Sequence, residues 1–133
     1  NIFGVPGSGK THLSKILEKK INKIKIVEAK KINDNTISTL NNLECLIIDN
    51  FNNDINEKLL YSILNHSKQL ENFVLINSVK PLNQIEFKLK DLKSRISSFI
   101  FIGIDLPTDE LLQVIISKSF FNGEKSISVA KSS

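Results

Sequence analysis

Methionine and tryptophan are absent from this chain, and tyrosine and cysteine occur once each. The lone cysteine, Cys45, excludes an intrachain disulfide framework. Its place in the apolar stretch Leu43 to Ile48 marks a buried reduced thiol rather than a metal ligand or nucleophile. No apolar run approaches the roughly 18 to 20 residues that span a bilayer, and nothing at the start resembles a signal peptide. A cytoplasmic protein without membrane contact is expected. Aromatic residues make up only 7% of the chain and do not interleave with its lysines, so the net charge of +4 reads as a solvated lysine surface. Direct DNA binding by these residues is not expected. Arginine is scarcer still, Arg95 being the only one.

With 133 residues, 41% of them apolar, the chain suffices for one domain with a core. Ile2 and Phe3 read as the end of a strand, which is expected to begin before Asn1. Leu13, Ile16, Leu17, Ile21 and Ile24 recur at helical spacing and predict a helix with one buried stripe. Lys23 to Val27 alternates as a strand near a sheet edge does, and Asn33 to Asn42 suits a short polar helix. Leu46-Ile47-Ile48 and Phe73-Val74-Leu75-Ile76 are unbroken apolar runs, the pattern of central parallel strands covered on both faces. Leu59, Leu60, Ile63 and Leu64 mark the crossover helix between them. A helix over Lys88 to Ser97 and a strand over Ser98 to Ile104 follow, and the alternation implies an α/β fold with a doubly wound parallel sheet.

After Pro107, Leu111, Leu112, Ile115, Ile116 and Phe120 form an amphipathic pattern ending near Gly123. Residues 1–105 are thus read as a base domain and 106–133 as the truncated start of a helical lid, joined at Leu106-Pro107.

Gly4-Val5-Pro6-Gly7-Ser8-Gly9-Lys10-Thr11 matches the P-loop pattern G-x-x-x-x-G-K-[ST] in full, between a strand end and an amphipathic helix. The glycines let backbone N–H groups turn inward on phosphate oxygens, and the positive helix end adds to that field. Lys10 is expected to reach the β- and γ-phosphates of ATP or ADP, and the Thr11 hydroxyl to bind Mg²⁺. A second oxygen ligand belongs at the end of an apolar strand, where Asp49 stands. The next residue is Asn50, at a position where many ATPases carry the carboxylate that activates water. An amide cannot accept that proton, so autonomous hydrolysis is expected to be weak or absent. Asn77 and Ser78 follow the next strand and either orient water or sense the γ-phosphate, or serve as turn residues before Lys80-Pro81. Arg95 lies one helical turn after Asp91, the spacing of a surface ion pair.

Three segments carry a family resemblance: Gly-x-Gly-Lys-Thr-His-Leu at Gly7 to Leu13, Leu-Ile-Ile-Asp-Asn at Leu46 to Asn50, and Asp-Leu-Lys-Ser-Arg-Ile at Asp91 to Ile96. The chain resembles the AAA+ replication-initiator family of DnaA over nearly its whole length. Its Asp49-Asn50 pair, and the short span from Lys10 to Asp49, are more similar to the Hda-like regulators within that family. The resemblance implies an AAA+ nucleotide-binding domain with Gly4, Pro6, Gly7, Ser8, Gly9, Lys10, Thr11 and His12 at the nucleotide and Thr11 and Asp49 at Mg²⁺. It implies an arginine finger at Arg95, with Asn77 as a second catalytic residue, and a regulatory role in which ATP hydrolysis on DnaA is stimulated in trans. The implied partners are the DnaA initiator and the DNA sliding clamp, with AAA+ self-association as a further expectation. Two alternatives are a DnaA-type initiator ATPase and a P-loop small-molecule kinase. The kinase would need an arginine-rich lid. Val79 departs from the family, whose initiators tend to have aspartate there.

Overall fold

A strand buried on both faces needs cover on both, and the pattern of apolar residues on the third strand shows how that is met. The computed structural model describes residues 1–5, 9–104 and 126–127, the last two by their backbone. Five strands run parallel: β1 (Ile2–Phe3), β2 (Ile24–Glu28), β3 (Cys45–Phe51), β4 (Phe73–Ser78) and β5 (Ile102–Gly103). Their spatial order is β2-β3-β4-β1-β5, and β6 (Ser126–Ile127) pairs with β4 beside Val74 and Leu75. Among the described residues the helices are α1 (Lys10–Lys20), α2 (Asp34–Thr39), α3 (Glu57–Leu70) and α4 (Lys90–Ser97).

Alternation along β3 sorts its side chains onto two faces. Leu46 and Ile48 join an apolar cluster with Leu60, Ile63 and Leu64 of α3 and Leu92 and Ile96 of α4. Cys45 and Ile47 join a second cluster with Ile2 and with Leu13 and Leu17 of α1. Each such fully buried Leu or Ile contributes about 1.5–3 kcal/mol relative to exposure, so the two clusters hold the helices to the sheet. β2, the strand with a charged and apolar alternation, lies at the edge as its pattern predicts. The polar helix expected over Asn33 to Asn42 is α2 followed by a 3₁₀ turn at Leu40–Asn42. An Asn33/Thr36 capping box starts it. Asn56 starts α3, its side chain accepting from the Leu59 N–H at 3.1 Å.

Two expectations are corrected. The apolar spacing carried the first helix as far as Ile24, but α1 ends at Lys20, Ile21 is extended, and Lys23 turns the chain through φ 55°. Ile24 instead opens β2, paired with Cys45. Ladder hydrogen bonds to β3 override the helical periodicity there. The strand expected over Ser98 to Ile104 is reduced to Ile102–Gly103. Ser98 and Phe99 still donate to the carbonyls of Arg95 and Ile96, which prolongs the turn of α4. The lid helix read at Leu111 to Phe120 and the P-loop residues Pro6, Gly7 and Ser8 lie outside the described residues. No helix among the described residues is long and apolar enough to cross a membrane.

Cys45 is fully buried, and desolvation of its thiolate pushes the thiol up to about 12. A thiol reagent in mildly alkaline buffer is therefore expected to label Cys45 only at the rate of unfolding. Leu60→Ala, which opens a cavity in the other cluster, should cost about 2–5 kcal/mol and speed labelling accordingly. Denaturant titration alongside the labelling measures both.

Candidate functional site

The carboxyl ends of parallel strands, where the order of connection reverses, are where α/β sheets bind ligands. Here β1 lies between β4 and β5, so the loop leaving it enters α1 beside the ends of β3 and β4. Gly9, the N-cap of α1, has φ 100°, a left-handed conformation that a side chain would disfavour. It aims the first turn of the helix, Lys10 and Thr11, back over the sheet.

Lys10 extends across the loop, its ammonium donating to the carbonyls of Gly4 at 2.5 Å and Val5 at 3.0 Å. Burial holds Lys10 below the usual lysine range, and the negative charge of Asp49 works in the opposite direction. The Thr11 hydroxyl donates to Asp49 Oδ2 at 3.0 Å. On the other oxygen, Asp49 Oδ1 accepts from Asn77 Nδ2 at 3.1 Å and from the Asn50 N–H at 3.0 Å. Asn77 donates its second N–H to Ser14 Oγ at 2.8 Å, and the Ser14 hydroxyl donates in turn to the Lys10 carbonyl at 3.2 Å. Because a carboxylate only accepts, this network fixes which end of the Asn77 amide faces Asp49. Both N–H groups of Asn77 are spent inside the protein. Its Oδ1 is buried without a hydrogen-bond partner.

Three separate parts of the chain, Lys10 with Thr11, Asp49 and Asn77, are thus brought together at the carboxyl ends of the strands. The donor set suits a hard divalent cation: a hydroxyl and a carboxylate 3.0 Å apart, with the carboxylate only 5% exposed. Among the described residues no group of three or more His, Cys, Asp or Glu side chains could cage a metal alone. Asn50 projects to solvent from a left-handed backbone, φ 54°, which asparagine tolerates better than most residues. His12, also in the first turn of α1, is exposed.

Arg95 is not part of this cluster. Its Nη2 donates to Asn65 Oδ1 at 2.8 Å, its guanidinium lies 5.9 Å from the centre of the Tyr61 ring, and it makes no ion pair with Asp91. It lines a cavity of about 740 Å³ together with Ser67 and Lys68 of the last turns of α3 and with Asn72 just before β4. That cavity sits at the amino ends of the strands, opposite the Lys10 to Asn77 cluster.

Two members of the network went unnoticed in the sequence. Ser14 carried a signal, since it stands one turn after Lys10 beside the buried Leu13. Asn1 carried none. Its buried side chain reaches β4, and that contact depends on β1 and β4 being neighbours.

No protein-family model matches the sequence, and no curated protein matches it. Solved structures do share its fold, and they fall first into one class, DNA replication initiation factors. The structure of DnaA from Aquifex aeolicus bound to AMPPCP superposes with a TM-score of 0.63 at 18% identity, covering 90% of this chain. DnaA bound to AMPPCP and single-stranded DNA superposes with a TM-score of 0.62, also at 18% identity and 90% coverage. The present chain spans 44% of each of those molecules. A solution structure of a protein from Neisseria meningitidis gives 0.53 at 22% identity, covering 80% of this chain and 72% of that one. At such identities the likeness establishes the fold: a five-stranded parallel sheet of the kind found in DnaA.

Since Asp49 is the charge that opposes the burial effect on Lys10, Asp49→Asn is expected to lower the Lys10 pKa further. Heteronuclear NMR titration of the lysine side chains through alkaline pH checks the direction. An unmoved Lys10 would mean that the field of Asp49 does not reach the ammonium.

Proposed function

We propose that this chain is the doubly wound nucleotide-binding core of an AAA+ protein that binds ATP or ADP with Mg²⁺. It acts in control of replication initiation as a regulator similar to Hda, with residues 106–133 as the start of its lid. The observation that carries the nucleotide reading is the Thr11–Asp49–Asn77 chain of hydrogen bonds next to Lys10, at the carboxyl ends of the strands. A DnaA-like fold supports the placement, the DnaA structures that share it being bound to AMPPCP.

In this reading Lys10 releases the Gly4 and Val5 carbonyls to meet phosphate oxygens, and the loop N–H groups complete the cradle. Bound Mg²⁺ supplies charge neutralisation at the phosphates, with Thr11 and Asp49 as its protein-side oxygens. Asn77 acts through Asp49, since its N–H groups orient that carboxylate. Asn50 has no basic oxygen comparable to a carboxylate and accepts no proton from water, so hydrolysis by the isolated chain is slow.

Arg95 acts on nucleotide held by a partner. The support is its position: it lines a cavity at the amino ends of the strands, away from the cradle of its own chain. A planar, permanently charged guanidinium against a γ-phosphate stabilises charge developing in the transition state, an effect of about 10³ to 10⁵ in rate for arginine fingers. DnaA as the nucleotide-holding partner, with the sliding clamp beside it, is taken from the family resemblance alone.

Two measurements test the proposal. Lys10→Ala should abolish Mg²⁺-nucleotide binding in calorimetric titration, and unchanged affinity would refute the cradle. Arg95→Ala should keep nucleotide affinity while removing stimulation of ATP hydrolysis by DnaA on clamp-loaded DNA. Arg95→Lys should fail likewise, because an ammonium lacks the planar fork. Full stimulation by the alanine variant would return Arg95 to a packing role against Asn65 and Tyr61.

A further inference from the structure

A carboxamide buried at the root of the first strand holds the β4 segment that carries Asn77. The Asn1 side chain is completely shielded from solvent, and it makes hydrogen bonds through both ends. Its Nδ2 donates to the carbonyl of Ile76 at 2.8 Å and to Ser78 Oγ at 2.8 Å, with a longer contact of 3.2 Å to the carbonyl of Ile2. Its Oδ1 accepts from the Leu82 N–H at 2.9 Å. Ile76 and Ser78 are the residues on either side of Asn77. Ser78 Oγ then donates to the Lys80 carbonyl at 2.6 Å, so the turn leaving β4 is bound to the same point as the strand end.

Asparagine fits this position by shape and by donor and acceptor count. Aspartate would keep the acceptor for Leu82 and lose both donors while burying a charge, and leucine would lose every bond. The ladder adds little redundancy. β1 contributes two residues, and its pairs with β4 are Ile2 with Asn77 and Phe3 with Ser78. The β3 side of the strand has its register irregularity between Ile48 and Phe51, beside Asn77. A strand end with a short ladder on one side and a bulge on the other needs another constraint if its side chain is to meet Asp49 at a fixed angle. The Asn1 amide supplies it.

We infer that Asn1 is a positioning residue of the nucleotide and metal site: it clamps the backbone on both sides of Asn77 and so fixes the hydrogen bond by which Asn77 orients Asp49. This rests on the reading of Asp49 as a Mg²⁺ ligand. Lys10 and the loop act on phosphates with or without the metal, whereas Asp49 acts through it. Loosening Asn77 should therefore weaken the gain in affinity that Mg²⁺ confers and spare affinity measured in EDTA.

The test compares Asn1→Ala with the unaltered chain, titrating ATP with Mg²⁺ and in EDTA well below the melting temperature, with Asp49→Asn as control. The expected result is a loss of about tenfold in the Mg²⁺-dependent gain, at the low end for residues that orient a metal ligand, with affinity in EDTA within about twofold. The Asn77 side-chain amide resonance should shift in the same variant without nucleotide, a change that general loss of stability does not produce. If Asp49→Asn abolishes the gain while Asn1→Ala preserves it and leaves the Asn77 resonance in place, Asn1 is not a positioning residue. If Asp49→Asn itself preserves the gain, the metal-site reading fails and the inference with it. Should Asn1→Ala not fold, Ser78→Ala removes one arm of the clamp and is read by the same two measurements, a smaller loss supporting the inference and none overturning it.

Discussion

A carboxylate taken out of water costs several kcal/mol unless hydrogen-bond donors replace the lost hydration, and Asp49 is such a carboxylate. Its donors come from three places: the second residue of α1, the next-to-last residue of β4 and the backbone N–H of the next residue in its own strand. Supplying them together requires that β3 and β4 be neighbours, that α1 start over their ends, and that β3 bulge after Asp49. Strand order, the left-handed Gly9 and the conformation of Asn50 all meet that requirement. The charge of Lys10 then stands near enough for Asp49 to oppose the effect of burial on it.

How much of this was legible varies with the range of the interaction. The Gly4 to Thr11 motif could be picked out because its pattern is contiguous, and the start of α1 at Lys10, directly after Gly9, falls where that pattern ends. Asp49 stood out as an acidic residue ending the apolar run Leu46-Ile47-Ile48, and its hydrogen bond from Thr11 joins it to the start of α1. Asn77 was open between two uses, and neither foretold its hydrogen bond to Asp49, a contact across 28 positions that only the sheet order creates. Ser14 and Asn1 were missed for the same reason, as polar residues next to apolar ones whose partners depend on which strands meet. Ile24 misled because residues on a helix face and residues on a strand face both recur, and tertiary pairing decided between them.

The molecule has chemically different ends. At the carboxyl ends of the strands a lysine, a hydroxyl and a carboxylate converge, and at the amino ends the only arginine lies against Asn65 and Tyr61. One side can present a nucleotide and the other a permanently charged guanidinium. In the function proposed above, two such faces on one body would suit head-to-tail contact, one member's arginine meeting nucleotide held by the other.

The register shift between Ile48 and Phe51 has a consequence for how this site can change over time. Without the extra residue, alternation would send Phe51 to the α1 side of the sheet; with it, Phe51 returns to the face of Leu46 and Ile48 and packs edge-on against Phe87. Asn50 absorbs the difference, exposed and outside both apolar clusters. The position that P-loop ATPases use for a water-activating carboxylate is thereby one on which neither the core nor the ladder to β4 relies. An exchange of amide for carboxylate there leaves both apolar clusters intact, so that position is free to vary without cost to the scaffold.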